Sequence, residues 1–500
     1  MRYFSGLFFL FLHVAIFAQD YHYWSEHFGT RATLLGGAAT SGLGDNGTVY
    51  YNAAAMAFVK DPNLSVTVNA YKMRTIWVKN ALGDGIDLKQ TQFLTYPNLI
   101  AGIVRLDKLP RWTAGYAVVT KKTFSSSFDY LHQADYEILD SVPGPERYVA
   151  SYNYYHGVLE YWAGFGLAFH LSKGWSLGFS HFGIYKTVDY TNNIDIVALP
   201  SDSTSSNTAH VASKIDFNYW DVKGNFKPAI NFQSEKFRFG LAWTTPTFHV
   251  MGRGNVYREF SITGLASEIN TDIVFLDRRE KLKVQTREMG GLAIGLSFRF
   301  GSKAWLHFAH ETNRAIKEYK IFNAPNPVNT YPTTIPDSVV FAQFGNQDFL
   351  SLEEKTLRVL NFGFGYEVRI TDKIDMLIGI RTDFNYLDTI SQYYVFKKLN
   401  IESSKWHLSH GSLGFGYITE TNKKWTVGLD YSFVPPTAFY QFVNFTDPQS
   451  TQLLLGQRQK TASATQLSLK LVVGIEFGIL RETIPDKNAS EGPGEGDDDK

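Results

Sequence analysis

The sequence predicts an all-β protein, a transmembrane antiparallel β-barrel of about 14 strands with an N-terminal plug in its lumen. Three observations predict the barrel. Apolar and polar residues alternate with period two in one segment after another, short polar turns join these segments in pairs, and longer polar stretches separate the pairs. Short turns at one end and long loops at the other are typical of membrane barrels. After the N-terminal residues, no stretch of the sequence approaches the run of ~18 apolar residues that a membrane helix needs.

Six hairpins carry this pattern. Five of them share a module of glycine and apolar residues before a polar turn, and they lie at residues 165–175, 230–237, 294–305, 364–374 and 415–425. A sixth, less regular hairpin has its turn at residues 106–110. Six hairpins make twelve strands, and strands near 63–78 and 463–480 bring the total to about fourteen, an even number as single-chain bacterial barrels require. Both termini then lie at the short-turn, periplasmic end.

The alternation assigns a lipid face and a lumen face to each strand. In the last strand, apolar residues occupy the odd positions from 467 to 479, and residues such as Lys470 and Gly474 occupy the even ones. Charged residues on the lumen side indicate a wet interior with mutual ion pairing, or alternatively a substrate path. These are Arg238, Arg299, Glu367, Arg369, Asp375, Arg381, Asp430, Lys470 and Glu476. The external loops are predicted near 80–90, 125–150, 191–212, 251–283, 319–354, 388–402 and 434–460.

The chain ends and the composition indicate an exported protein. Residues 1–18 have a cationic start, an apolar core and a small residue before Gln19, as in secretory signal peptides. The chain has no cysteine, which excludes disulfides, thiolate metal sites and cysteine nucleophiles. A net charge of zero does not indicate nucleic-acid binding. These properties fit the outer membrane of a Gram-negative cell, with the barrel at 62–481 and a flexible acidic tail at 482–500.

Residues 19–61 do not alternate like a strand and are rich in small residues, including Gly36, Gly37, Gly42 and Gly44. Inward glycines near the short turns indicate that another backbone comes close there, or alternatively that they ease barrel curvature. The inward set is Gly164, Gly166, Gly291, Gly295, Gly363, Gly365, Gly414, Gly416, Gly474 and Gly478. A barrel of this width needs a plug, and residues 19–61 have a suitable size.

No catalytic, metal or cofactor site is indicated. Residues 42–47 match the dinucleotide fingerprint GxGxxG, but no βαβ unit surrounds them. His307 and His310 are three residues apart, which on a strand places them on opposite faces and argues against a shared metal. We therefore expect a protein that is not an enzyme, although an active site assembled from separate strands would leave no motif.

The N-terminal residues include Gly29-Thr-Arg31-Ala32, Gly36-Gly37-Ala38, Asp45, Tyr51-Asn52-Ala53-Ala54, Phe58 and the lead into strand one at residues 61–65. Together these residues resemble the hatch of FadL-type outer-membrane transporters, here in a form expected of the Bacteroidota branch. In that family a hatch with an Asn-Pro-Ala motif precedes a fourteen-stranded barrel. Asn52, Ala53 and Ala54 match this motif, although Ala53 replaces the proline.

The resemblance implies passive uptake of hydrophobic small molecules such as long-chain fatty acids, held in an apolar pocket above the hatch and released through a lateral opening. Tyr50, Tyr51, Met56 and Phe58 are candidates to line that pocket, with Asn52 holding the hatch backbone. The expected partners are a hydrophobic molecule and outer-membrane lipids. The alternative is a non-transporting partner barrel in a larger outer-membrane complex, such as a type 9 secretion cargo acceptor or an accessory of an assembly machine.

Overall fold

The computed structural model describes residues 22–59, 63–106, 108–140, 142–201, 207–265, 272–323, 350–386, 406–420 and 423–477. Its N-terminal part contains α1 (Thr30–Leu34), α2 (Thr48–Tyr51) and a 3-10 helix (Ala53–Phe58). The strands follow as β1 (Asn63–Lys79), β2 (Leu88–Arg105), β3 (Trp112–Tyr136), β4 (Glu146–Ser172), β5 (Trp175–Pro200), β6 (Ala209–Gln233), β7 (Phe237–Thr244), β8 (Phe248–Thr263), β9 (Ile273–Lys283), β10 (Gly291–Phe300), β11 (Ala304–Asn313), β12 (Ile316–Phe322), β13 (Leu352–Thr356), β14 (Val359–Thr371), β15 (Ile374–Asp383), β16 (Leu408–Ile418), β17 (Lys424–Phe439) and β18 (Ala462–Phe477). The predicted signal peptide and acidic tail lie outside the described residues.

Within the described chain, fourteen strands close into an antiparallel barrel. The ring runs from β1 through β7, continues with β10, β11 and β14 through β18, and closes where β18 pairs with β1. All six predicted hairpins are present, and their short turns lie together at one end of the barrel. The predicted antiparallel barrel and its strand number are therefore confirmed.

The opposite end differs from the sequence prediction, because several expected loops are strands. β3 and β4 continue through most of 125–150, β5 and β6 extend into 191–212, and β8 and β9 occupy most of 251–283. The reason is a reversal of the alternation. In β4, Tyr148, Tyr152 and Tyr154 are buried inside the barrel, while polar neighbours such as Asn153 face outward. These strand segments, at the end opposite the short turns, are the upper strands. They have a polar outer surface and an apolar interior.

The lower strands have the predicted faces. In β17, Val427, Leu429 and Tyr431 point outward with 43–47% of their surface exposed, whereas Asp430 is buried in the lumen. The same alternation holds in β7 and β18. This produces an outward apolar band around the short-turn half of the barrel, as the sequence predicts.

Four strands of the ring break at a similar level and continue as separate hairpins. β8 and β9 continue β7 and β10 as one hairpin. In this hairpin β8 also pairs with β6, which keeps it attached to the main sheet. β12 and β13 continue β11 and β14 as a two-stranded sheet of their own. Residues 284–290, between β9 and β10, turn inward, and Lys223 donates hydrogen bonds to Thr286 Oγ1 and Glu288 Oε1 inside the barrel at 2.8 and 2.7 Å.

The N-terminal segment (residues 22–59) is almost entirely buried. Its helices pack against β3 to β6 on one side of the lumen and β15 to β18 on the other. None of the helices in the described part of the chain has the length and apolar character needed to cross a membrane.

Candidate functional site: a cavity beside the N-terminal segment

The inward glycines lie where the N-terminal segment meets the barrel wall. A Cβ atom on Gly363 would collide with the carbonyl oxygen of Gly36, and one on Gly295 would collide with the backbone at Ser41. Gly166, Gly365, Gly414 and Gly474 also face the segment. Side chains of the segment lie closest to Gly166, Gly414 and Gly474, so the prediction of close backbone approach is correct for Gly295, Gly363 and Gly365. It is wrong for Gly164, Gly291 and Gly416, whose nearest atoms belong to neighbouring wall strands, and Gly478 lies outside the described residues.

Asn52 connects three backbone regions. Its Oδ1 accepts a hydrogen bond from the Ala54 N–H at 3.1 Å, which caps the 3-10 helix. Its Nδ2 donates to the carbonyl oxygens of Thr40 at 2.9 Å and Ile230 at 3.1 Å. Ala53 and Ala54 lie against Gly178 of β5, where a Cβ atom on the glycine would collide with their backbone. The three residues matched to the family motif thus join the segment to itself and to β6.

The four glycines noted in the sequence of the segment have left-handed backbone conformations. Gly36, Gly37, Gly42 and Gly44 have φ angles of 62°, 76°, 85° and 82°. Gly36 lies against the β14 and β15 backbones, Gly37 against His27, and Gly42 against Ala55, whereas Gly44 has no atom within 4 Å of a built Cβ. Positive φ accounts for glycine at all four positions, without a nucleotide.

The four candidate pocket residues lie within the packing of the segment. Tyr50 contacts Phe28, Trp162 and Phe182, and the Tyr51 hydroxyl accepts a hydrogen bond from the Phe28 N–H at 2.7 Å. Met56 is fully buried against Gly115 and Gly166 of the wall, and Phe58 packs edge-on against His170. None of the four lines the cavity described next.

This cavity lies between the start of the N-terminal segment and the upper barrel wall, and the free space within it, including its open side, is about 790 Å³. One part of its lining is polar and basic: His22, Ser25, Lys72, Arg74, Ser126, His410, Ser432, Gln466, Ser468 and Lys470. The other part is apolar: Ile76, Val78, Phe124, Phe128, Tyr152, Tyr154, Trp406, Leu408 and Phe442. The cavity is therefore amphipathic, with its cations beside the N-terminal segment.

Charged residues attach the N-terminal segment to the wall at this cavity. The Glu26 carboxylate lies 2.7 Å from Lys72 Nζ on β1 and 3.1 Å from Lys470 Nζ on β18. Burial alone would raise the pKa of Glu26, but Lys470 and Lys72 lower it to about 2. Lys470 also donates to the Ser25 carbonyl oxygen at 2.6 Å, and Asp430 pairs with Arg381 at 2.9 Å. The predicted ion pairing of the lumen is thus present, and part of it holds the segment.

The barrel wall is interrupted next to the cavity. The β2–β3 ladder runs from Arg105↔Thr113 only to Leu99↔Val119, and beyond this level β2 pairs only with β1 and β3 only with β4. Inward side chains bridge the interruption instead. Gln92 Nε2 donates to Ser125 Oγ at 2.9 Å, and the Ser127 N–H donates to Gln90 Oε1 at 3.1 Å.

The bridging geometry indicates how the interruption forms. Gln90 and Gln92 point toward the lumen, so they reach β3 only because β3 lies inward of β2 at this level. Phe124 and Phe128 of the same stretch of β3 line the cavity. The cavity and the interrupted wall therefore share one strand.

Arg74 occupies the border between the basic and apolar parts. Its guanidinium lies 4.3 Å from the Phe124 ring centroid and donates to Gln92 Oε1 at 2.6 Å and to the Ser125 carbonyl oxygen. Arg74 thus connects β1 to the inward stretch of β3. Sequence reasoning did not identify Lys72 or Arg74, because a bulge between Asn69 and Tyr71 shifts the alternation of β1 and turns these even-numbered positions inward.

His307 and His310 lie on opposite faces of β11, as predicted. His307 is buried in the lumen, where its Nδ1 lies 2.7 Å from Ser297 Oγ, whereas His310 lies on the outer face and contacts Phe362. The described residues contain no cluster of three or more histidine, aspartate or glutamate side chains suited to a metal ion.

Solved structures share this architecture at low sequence identity. A FadL homologue from Pseudomonas aeruginosa superposes with a TM-score of 0.58 and 12% identity, over 91% of this chain and 99% of that one. The barrel has the FadL-type fold. The P. putida toluene transporter TodX gives a TM-score of 0.55 at 9% identity, and the Ralstonia pickettii toluene transporter TbuX gives 0.51 at 11%, each over 91% of this chain and 99% of the other. No protein-family model and no curated protein matches the sequence.

The FadL-type fold confirms the architecture that the sequence resemblance implied. At these identities the comparison concerns the fold, and the cavity must be interpreted from its own residues. The lining comes from six strands and three connecting segments that are far apart in sequence. No short motif could therefore have identified it.

Proposed function

We propose that this FadL-type barrel is an outer-membrane channel for the passive uptake of hydrophobic small molecules, with the N-terminal segment as its hatch. The outward apolar band supports membrane insertion, since a β-sheet satisfies its backbone hydrogen bonds in lipid by closing into a barrel. The two similar structures described as toluene transporters support hydrophobic cargo. The residues of the amphipathic cavity support a more specific proposal for the ligand class.

The preferred ligand is a long-chain fatty acid or a similar anionic amphiphile. Aromatic and aliphatic side chains form one part of the cavity, where an acyl chain would be removed from water. Lys72, Arg74 and Lys470 form the other part, where a carboxylate would find cationic donors. A neutral hydrocarbon would use only the first part.

Ligand binding would release the hatch by competition for the lysines. The carboxylate of Glu26 bridges Lys72 and Lys470, and both lysines line the cavity. A ligand carboxylate that takes over these donors weakens the attachment of the hatch, because each ammonium group has few donor positions. The interruption between β2 and β3 then provides a route sideways into the membrane.

Binding measurements on purified protein test the ligand class. We expect palmitate to displace a fluorescent fatty acid from the wild type, and Arg74→Gln to weaken palmitate at least tenfold while hexadecanol, the uncharged alcohol of the same length, changes less than twofold. Arg111→Gln, an exposed arginine at a short turn, is the matched control. Equal losses for palmitate and hexadecanol would contradict recognition of the carboxylate.

Mass spectrometry of mild-detergent eluates tests the channel itself. A channel should carry bound lipid or fatty acid in its cavity. A stable complex with another outer-membrane protein and an empty cavity would favour the partner-barrel alternative.

A further inference from the structure

Two arginines lie opposite each other on the outer surface of the barrel. The β11–β14 ladder pairs Thr312 with Leu360 and ends at Asn313↔Val359, so the next opposed positions are Arg314 and Arg358. Both side chains are exposed, and Arg358 Nε donates to Thr312 Oγ1 at 3.4 Å. Among the described residues neither arginine has a carboxylate within ion-pair distance. Like charges at opposed positions repel, which favours an anion between them.

The arginines border a dent in the outer wall. Residues 284–290 turn into the barrel, where Thr286 and Glu288 bind Lys223, and this leaves a hollow at the top of β10. The hollow contains about 930 Å³ of free space including its open side, and Trp243, Leu292, Arg314 and Arg358 are among its lining residues. It therefore combines an apolar wall with two cations at its edge.

The position along the strand places these cations at the membrane surface. Arg314 lies ~10 residues beyond the short turn at the start of β11, or ~33 Å along a strand at ~3.3 Å per residue. At a tilt of ~40° this is ~25 Å of height, about the thickness of the apolar band of such barrels. Charged residues are costly at the bilayer centre and cost little at this level. Trp243 beside them fits the aromatic girdle that marks the interface.

The geometry points to a specific site for a phosphate-bearing glycolipid of the outer leaflet, the lipid A type, at Arg314 and Arg358. Two guanidinium forks suit the oxygens of one phosphate, and they bind phosphate more specifically than lysines do. The acyl chains would lie along Trp243 and Leu292. This inference depends on the membrane insertion contained in the proposed function, but not on transport or on the cavity.

Native mass spectrometry of the full chain in detergent tests the site with lipid A as the probe. We expect the wild type to bind bisphosphorylated lipid A at least tenfold more tightly than enzymatically dephosphorylated lipid A. Arg314→Gln/Arg358→Gln should lose at least tenfold in affinity for the phosphorylated form. Lys108→Gln/Arg111→Gln, which removes two exposed cations at the opposite rim, should stay within twofold. Heat-modifiable gel mobility would verify that each variant is folded.

Either of two binding results would overturn the inference, as would the phosphate competition described after them: equal binding of the two lipid A forms by the wild type, or wild-type affinity in the Arg314/Arg358 variant. The first comparison needs no variant, so misfolding of the double variant cannot hide the answer. A third arm uses inorganic phosphate. If inorganic phosphate displaces bound lipid A at the same concentration at which competing lipid A does, the site recognises free phosphate and the lipid assignment is wrong. Failure of fatty-acid uptake would not affect any of these results.

Discussion

Replacement of Glu26 by glutamine tests how the N-terminal segment is held in the lumen. The wild-type side chain is 4% exposed, and its carboxylate lies 2.7 Å from Lys72 Nζ and 3.1 Å from Lys470 Nζ. Glutamine has nearly the same shape but no charge. The substitution leaves one of two buried ammonium groups without its anion, while Lys470 keeps Asp430 at 3.4 Å.

Two estimates of the free energy lost when Glu26 is replaced agree in order of magnitude. Removal of one partner of a buried ion pair costs about 3–5 kcal/mol. Independently, the pKa of Glu26 falls from an ordinary 4.5 to about 2 despite the opposing effect of burial, which corresponds to about 3 kcal/mol at ~1.4 kcal/mol per tenfold change in the equilibrium. We therefore expect Glu26→Gln to raise the population of released segment about 100-fold.

Hydrogen exchange of residues 22–59 measures this population, since exchange of these buried amides requires release. Glu26→Gln should exchange about 100-fold faster there and unchanged in the β16–β17 hairpin. The matched control is Glu420→Gln, which removes an exposed ion pair with Lys373 of little energetic value. If Glu26→Gln and Glu420→Gln exchange alike in residues 22–59, the anchoring role of Glu26 is wrong.

Three further predictions use the same assay. Folding lowers the pKa of Glu26, so its contribution to docking of the segment is complete above about pH 4.5 and is lost as the pH falls through about 2. Exchange of the segment should accelerate in that pH window. Constant exchange would contradict the assignment. Asn52→Ala removes the cap of the 3-10 helix and two donors to buried carbonyls, which should destabilise segment docking by about 2–3 kcal/mol, and a change below twofold in exchange would refute this. Gly240→Ala places a Cβ against the Thr40 carbonyl and should cost about 1–3 kcal/mol, whereas Gly411→Ala, with nothing within 4 Å, should leave exchange and thermal unfolding of the barrel unchanged.

The barrel wall could be predicted from sequence because its signal is local. Each strand carries its own alternation, and a closed antiparallel ring follows from six short-turn hairpins and two terminal strands. The same reasoning missed the upper strands, whose residues it placed in external loops. In β4 the tyrosines at 148, 152 and 154 face inward, because the chain there leaves the apolar band.

The cavity could not be predicted because its residues depend on details that alternation does not contain. One bulge in β1 turns Lys72 and Arg74 inward, although the start of that strand has its odd-numbered positions inside. The role of Glu26 depends on β1 and β18, which adjoin only when the barrel closes. Tyr50 and Met56 are residue types expected to line a ligand pocket, but their side chains pack against the barrel wall and do not line the cavity.

If the N-terminal segment is a hatch, uptake requires its movement. Ser41 of the segment and Ser297 of β10 have their hydroxyl oxygens 2.6 Å apart, and the chain contains no cysteine. In a Ser41→Cys/Ser297→Cys variant, oxidation would fasten the segment to the wall, and reduction would release it. We expect cells carrying the oxidised variant to take up labelled fatty acid at the rate of cells without the protein, and a reductant to restore uptake. Full uptake by the oxidised, cross-linked protein would contradict it.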